Sequence, residues 1–142
     1  MASGASNSSS SENSNSKKSE KIYYVLLVED DAAMRDITES RLTSLGFRII
    51  TAVNGLHAMQ RLKGATEPVS LVITDLHMPG QNGLDLISSI RASPKFKHIP
   101  IIALTGNVQI EVLKAAKLKG AQEVLVKPVS FQSLLERIQQ LI

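Results

Sequence analysis

With 142 residues, the chain has the length of a single domain that buries about two thirds of its unfolded surface. Its 43% hydrophobic and 20% charged residues are ordinary for a globular domain, and the absence of cysteine excludes disulfides, thiolate catalysis and cysteine-bound metals. The net charge of +3 comes without a basic run interleaved with aromatic residues, and no apolar run approaches the roughly 20 residues of a membrane helix. We therefore expect a cytoplasmic domain that binds neither nucleic acid nor membrane directly.

The first 20 residues contain nine Ser and three Asn and almost no apolar side chain. Such a segment cannot bury enough surface to offset the entropy lost when a chain is ordered. It has neither the apolar centre of a signal peptide nor the arginines of a transit peptide. We predict a disordered tail over residues 1–20 and one folded domain over residues 21–142.

From Lys21 onward, short apolar runs alternate with segments of helical period. The runs have strand length and lack a clean alternation of apolar and polar residues, and they cover 22–28, 47–51, 69–74, 99–104 and 123–126. Between and after them lie apolar stripes typical of helices that turn one face to a core. These stripes are Met34, Ile37, Leu42 and Leu45; Leu56, Met59 and Leu62; Leu84, Ile87 and Ile90; Ile110 and Leu113; and Phe131, Leu134, Leu135, Ile138, Leu141 and Ile142.

Local signals mark several helix ends. Gly46 and Gly120 stand where a helix end favours a residue tolerant of positive φ, and Ser130 is placed to cap the last helix. The dipeptide Asn54-Gly55 favours a hairpin, but the helical stripe that follows outweighs it. Five strands, each followed by a helix, predict an α/β fold with a parallel sheet covered on both faces. In such sheets, sites lie beyond the carboxyl ends of the strands.

Polar residues stand at four of these strand ends. They are Glu29, Asp30 and Asp31 after the first strand, Asp75 at the end of the third, Thr105 at the end of the fourth and Lys127 after the fifth. Singly, each has an ordinary explanation as a turn, a helix start or an exposed side chain. Because all four strand ends lie at the same edge of the sheet, together they predict one site. Clustered carboxylates repel each other unless a hard cation such as Mg²⁺ or Mn²⁺ lies among them, so the acidic cluster is interpreted as a metal site.

A carboxylate at such a site is an established nucleophile for phosphoryl groups. Asp75 is the candidate nucleophile, and Thr105 and Lys127 are candidates to hold the remaining phosphoryl oxygens. Neutralisation of charge is most of the catalysis in phosphoryl transfer, so a metal, a lysine and a hydroxyl are a fitting set. The residues thus predict a phosphoacceptor.

Four stretches resemble the receiver domains of two-component response regulators, namely LLVEDDAAMRDI, LVITDLHMPGQNGLDLI, IIALTGN and GAQEVLVKPV. The resemblance extends over essentially all of residues 21–142. It implies a flavodoxin-like, doubly wound α/β fold with five parallel strands in the order 2-1-3-4-5 and five helices. It also implies a phosphoprotein that is not a turnover enzyme.

The resemblance further assigns roles to single residues. Asp75 would be the phosphorylation site, and Asp30, Asp75 and the backbone carbonyl of His77 would bind the metal, with Glu29 acting through water. Asp31 would follow the acidic pair without belonging to it. Thr105 and Lys127 would contact the phosphoryl oxygens, and the Lys127–Pro128 peptide bond would be cis.

The implied partners are a sensor histidine kinase or a histidine phosphotransfer protein upstream, and a protein target downstream. The target would bind the segment Gly106 to Leu118 and the face of the fifth helix. Val124 stands where many receivers carry an aromatic residue that rotates on activation, so the chain departs from the family at this position. The side chain of His77 is expected at the rim of the site, and His57 and His98 are expected to be ordinary surface residues.

Other interpretations remain open. A flavodoxin would need a phosphate loop rich in Ser, Thr and Gly where this chain has Glu29-Asp30-Asp31. A haloacid-dehalogenase-like phosphatase would need a second Asp where His77 stands. A receiver that binds partners without phosphorylation, or one that is part of a hybrid kinase or longer regulator, shares the same fold.

Positive charge is concentrated between residues 91 and 119. Six cations face only Glu111 there, and they are Arg91, Lys95, Lys97, Lys114, Lys117 and Lys119. We expect this stretch to be a solvated surface, and we expect the charge of Lys114, Lys117 and Lys119 to contribute to the choice of a downstream partner.

Overall fold

A computed structural model describes residues 21–78 and 82–142, and the tail predicted for residues 1–20 lies outside the described residues. The described residues form five strands and five helices in alternation. The strands are β1 (Tyr24–Val28), β2 (Arg48–Ala52), β3 (Leu71–Asp75), β4 (Ile101–Thr105) and β5 (Glu123–Val126). The helices are α1 (Ala32–Ser44), α2 (Gly55–Gly64), α3 (Gly83–Ala92), α4 (Ile110–Lys119) and α5 (Phe131–Leu141).

The strands form one parallel sheet in the order β2-β1-β3-β4-β5. This order confirms the predicted doubly wound, flavodoxin-like arrangement. Three of the predicted runs begin two residues before their strand, because Val69 and Ile99 are buried without joining the ladder and Ile22 is exposed. Asp75 and Thr105 are the last residues of β3 and β4.

Two apolar cores lie on the two faces of the sheet. Successive side chains of a strand point to opposite faces, so Leu26 and Val28 pack with α2, α3 and α4 while Val25 and Leu27 pack with α1 and α5. This explains why the strands are apolar without alternation, since both of their faces are covered. The polar residues are thereby left to the carboxyl ends of the strands.

The predicted helix ends are confirmed. Gly46 and Gly120 have φ angles of 99° and 124°, in the left-handed region that favours glycine. Ser130 accepts a hydrogen bond from the backbone N–H of Ser133 and caps α5. The dipeptide that favours a hairpin starts α2 instead, because the side chain of Asn54 accepts from the N–H of His57.

The stripe predicted for α1 packs against the sheet only in part. Leu42 is fully buried, whereas Met34, Ile37 and Leu45 are about half exposed. Arg35 is half-buried instead, and its guanidinium donates to the carbonyl of Glu29 at 2.8 Å. The first residues of two other stripes, Leu56 on α2 and Ile110 on α4, are also exposed.

Arg91 corrects the expectation of a wholly solvated basic surface. Its guanidinium donates to the carbonyls of Lys97, Ile99 and Gly120 and to the side-chain oxygen of Gln122, at 2.7–3.1 Å. Burial lowers the pKa of Arg91 from its usual value. This residue ties the end of α3 to the turns before β4 and β5, so it serves the fold and not a solvated face.

Candidate functional site

The carboxyl ends of four neighbouring strands meet at one edge of the sheet. Glu29 directly follows β1, Asp75 ends β3, Thr105 ends β4 and Lys127 directly follows β5. The register pairs Val28 with Thr74, Asp75 with Leu104 and Thr105 with Val126, so these ends are level. The structure therefore brings together the residues that the sequence placed at strand ends.

Three carboxylates form a cluster at this edge. Glu29, Asp30 and Asp75 each offer one oxygen, and these oxygens lie within 4.8 Å of one another. Glu29 and Asp75 are only 6% and 5% exposed, while Asp30 is open to solvent. Burial raises the pKa of Glu29, with smaller contributions from the charges of Asp75 and Asp30, against the N–H of Asp31 and the charge of Lys127. The donor set suits a hard divalent cation, which takes oxygen ligands and relieves this repulsion.

Lys127 is the cation that faces the cluster. Its Nζ lies 2.8 Å from Oδ2 of Asp75 and 3.6 Å from Oε1 of Glu29. Burial alone would lower the pKa of Lys127, but the hydrogen bond to Asp75 and the charges of Asp75 and Glu29 outweigh it, so the pKa is raised. The ammonium therefore stays charged beside Asp75. The peptide bond between Lys127 and Pro128 is cis, as the resemblance implied.

Asp75 is held by both of its oxygens. Oδ2 accepts from Lys127, and Oδ1 accepts from the backbone N–H of His77 at 3.1 Å. Helix α3 starts close behind, where the N–H of Gly83 donates to the carbonyl of Leu76 at 3.2 Å. The sequence does not predict this close approach of helix and strand, because Gly83 has no feature there that distinguishes it from other residues at a helix start.

Thr105 is fully buried, and its hydroxyl has two neighbours. Oγ1 lies 2.9 Å from Nε2 of His77 and accepts from the backbone N–H of Asn107 at 3.0 Å. The side chain of His77, expected to be an ordinary rim group, thus contacts a candidate site residue. No sequence signal indicates this contact, since the two residues lie on separate loops.

Asp31 is separate from the carboxylate cluster. Its side chain caps α1 by accepting from the N–H of Met34 at 3.0 Å, and its own N–H donates to Oε2 of Glu29 at 3.1 Å. This agrees with the expectation that it follows the acidic pair without belonging to it. His57 likewise has a local role, since its Nδ1 accepts from the N–H of Val53 at 3.1 Å. His98 is exposed.

The family model of the response regulator receiver domain matches residues 25–139, which include every member of this site. The chain belongs to the response regulator receiver family. In this chain the acidic cluster lies at the carboxyl end of a five-stranded parallel sheet. Val124, half-buried in β5, provides no ring at the position noted above.

Known receivers resemble the chain over most of its length. It is 38% identical over 114 residues to chemotaxis protein CheY1 of Helicobacter pylori strain J99, a match that covers 79% of this chain and 90% of that protein. The solved structure of chemotaxis response regulator CheY4 of Vibrio cholerae has a TM-score of 0.79 at 28% identity and covers 86% of this chain and 100% of that one. A response regulator receiver protein from Pseudomonas putida has a TM-score of 0.79 at 32% identity, with 84% and 98% covered. This receiver is thus similar to chemotaxis receivers. Among its described residues, no helix is both long and apolar enough to cross a membrane.

Proposed function

We propose that this receiver accepts a phosphoryl group from a phosphohistidine of a partner protein onto the carboxylate of Asp75. The observation that supports this most is the pairing of a nearly buried Asp75 with the ammonium of Lys127 inside a cluster of three carboxylates. A buried nucleophile with one charged partner and an adjacent metal site is what phosphoryl transfer needs.

In the transfer, an oxygen of Asp75 forms a bond to phosphorus while the bond between phosphorus and the partner's imidazole nitrogen breaks. The imidazole leaves with the electron pair of that bond. Lys127 pairs with one oxygen of the transferred group, and the hydroxyl of Thr105 donates to another. Later attack by water releases inorganic phosphate and restores the carboxylate, so the phosphorylated state is transient and the chain acts as a switch.

The metal would be Mg²⁺, or Mn²⁺, held by Asp30, Asp75 and the backbone carbonyl of His77, with Glu29 acting through a water molecule. When bound, it neutralises charge on the phosphoryl oxygens and on the carboxylates. The donor set fits, because three carboxylates supply only oxygen and have a single described cation, Lys127, beside them.

Asp30→Asn separates this metal site from a purely structural acidic cluster. We expect it to weaken Mg²⁺ binding by about tenfold or more, since one ligand charge is lost, while thermal stability without metal holds or rises as repulsion falls. Asp31→Asn is the matched control: Asn caps a helix as well as Asp does, and this side chain lies outside the cluster. Titration calorimetry and thermal melts measure both. Equal affinities in the two variants would place the metal elsewhere.

The function itself is tested by incubation of the wild-type protein with Mg²⁺ and a small phosphodonor such as acetyl phosphate, followed by intact-mass measurement. We expect one added phosphoryl group that hydroxylamine removes, as it does from acyl phosphates, and no uptake when a chelator replaces Mg²⁺. A protein that stays unmodified under these conditions would instead be a receiver that binds partners without phosphorylation.

The partners follow from the same proposal. A sensor histidine kinase or a histidine phosphotransfer protein in the cytoplasm supplies the phosphoryl group. A protein target then binds the phosphorylated receiver through residues 106–118 and α5. Val108, Ile110 and Leu118 in that segment are 71%, 60% and 87% exposed, a large apolar area on a folded domain. Lys114 and Lys119 lie exposed on the same helix, so an acidic or mixed apolar and acidic target fits it.

The coupling between site and target surface is measurable by hydrogen exchange. The Thr105 hydroxyl accepts from Asn107, whose side chain accepts from the N–H of Gln109, the residue that precedes α4. A change at Thr105 when its hydroxyl donates to the phosphoryl group is therefore passed to α4 through these contacts. With beryllium fluoride as a phosphoryl mimic, we expect the protection of residues 106–118 to change and that of α2 to stay the same. If residues 106–118 exchange identically with and without the mimic, the output surface lies elsewhere.

A further inference from the structure

The imidazole of His77 and the hydroxyl of Thr105 form a contact between two loops of the site. Nε2 of His77 lies 2.9 Å from Oγ1 of Thr105, although the residues are 28 positions apart. Thr105 is fully buried, whereas His77 is exposed. His77 is also the second residue after Asp75, and its backbone N–H already holds Oδ1 of that carboxylate.

A count of donors and acceptors at the Thr105 hydroxyl leaves two directions for this hydrogen bond. A threonine hydroxyl has one O–H and two lone pairs, and the N–H of Asn107 occupies one lone pair. His77 takes either the second lone pair, if Nε2 carries hydrogen, or the O–H, if Nε2 is bare. Solvent reaches the ring, and neutral imidazole in water favours hydrogen on Nε2, as the imidazolium form also requires. Donation by His77 is thus the expected state.

In that state both lone pairs of the Thr105 hydroxyl are occupied by donors. Its O–H is then the one hydrogen-bonding function left, and it can donate to an acceptor such as a phosphoryl oxygen. A hydroxyl held in this way loses no rotational freedom when an anionic oxygen arrives, which is how preorganised donors lower a barrier.

We propose that His77 is a positioning residue, whose Nε2–H holds the Thr105 hydroxyl so that its O–H points to the phosphoryl oxygens on Asp75. This role rests on the proposed phosphoacceptor function. It does not depend on the charge of the imidazole, because both the neutral Nε2–H form and the cation donate. Packing contributes little to the contact, since the ring is exposed.

The first measurement uses the unphosphorylated, metal-free protein. Nitrogen-15 chemical shifts of the His77 ring, recorded at a pH high enough to keep the imidazole neutral, report which nitrogen carries hydrogen. We expect hydrogen on Nε2, and we expect the shifts to move in Thr105→Ala. The proposal would be overturned if Nε2 carries no hydrogen, or if the ring shifts do not change in Thr105→Ala. This test is independent of whether the protein can be phosphorylated.

The second measurement is the rate at which a small phosphodonor and Mg²⁺ phosphorylate a set of variants. His77→Phe keeps a ring without a donor and should slow uptake by about three- to tenfold, the equivalent of one hydrogen bond, whereas His77→Gln restores a donor and should recover most of the rate. His98→Phe is the matched control, an exposed histidine away from the site, and should equal wild type. In a Thr105→Ala background, His77→Phe should have no further effect.

The outcomes distinguish a failure of this proposal from a failure of the proposed phosphoacceptor function. A wild-type protein that takes up no phosphoryl group overturns the phosphoacceptor function and this role of His77 with it. A wild-type protein that is phosphorylated while His77→Phe is equally fast or faster overturns the positioning role alone. The same holds if His77→Phe slows uptake equally with Thr105 present and absent, because the ring would then act without the hydroxyl.

Discussion

Replacement of Asp75 by asparagine is expected to abolish phosphoryl uptake completely. Asparagine keeps the shape of the side chain and one oxygen that accepts from Lys127 or His77, but its amide is not a nucleophile towards phosphorus. After incubation with Mg²⁺ and a phosphodonor, intact-mass measurement should show only unmodified Asp75→Asn protein. Asp36→Asn, an exposed carboxylate on α1, is the control and should take up one phosphoryl group at the wild-type rate.

This result depends on a folded variant, which circular dichroism verifies. The change also removes one negative charge from the cluster and weakens the contact with Lys127, so thermal melts of the metal-free protein measure the balance of these two effects. Full labelling of Asp75→Asn would contradict the assignment. Peptide mapping would then show which residue carries the group, with Asp30 as the nearest exposed carboxylate of the cluster.

The fold and the composition of the site were accessible from the sequence because both depend on pattern. Apolar runs of strand length alternate with helical stripes, which predicts the parallel sheet, and parallel strands bring their carboxyl ends to one edge. Asp75 and Lys127 could be placed together for that reason, and they lie 2.8 Å apart. The family resemblance added the strand order and the division of roles among the carboxylates.

Other features depend on tertiary contacts that no local pattern encodes. The stripe of α1 predicts a helix, but of the four stripe residues only Leu42 is buried, while the half-buried Arg35 donates to the carbonyl of Glu29. Arg91 reads as a surface cation, yet it satisfies three backbone carbonyls that the turns before β4 and β5 bring to it. The contact of His77 with Thr105 likewise exists only because two loops meet.

Gly83→Ala is expected to be the most destabilising addition of a single methyl group at the site. A Cβ built there would overlap the backbone oxygen of Asp75 and lie 2.7 Å from the Cα of Leu76. Backbone atoms of a central, fully buried strand cannot move aside as a flexible side chain can, so α3 or the end of β3 must shift. We expect the free energy of unfolding to fall by about 2 kcal/mol or more in urea titrations, at the upper end of overpacking effects.

Gly64→Ala gives the matched control for this prediction. Gly64 ends α2, and a Cβ there meets no atom within 4 Å, so the added methyl should leave stability unchanged or raise it slightly through its helix propensity. Because the overlap at Gly83 is with Asp75 itself, the variant should also take up a phosphoryl group more slowly than wild type under conditions where both are folded. Equal unfolding free energies for Gly83→Ala and Gly64→Ala would mean that α3 moves away from β3 without cost. The position of Asp75 would then be set by Lys127 and the N–H of His77 alone, and not by the close packing of helix against strand.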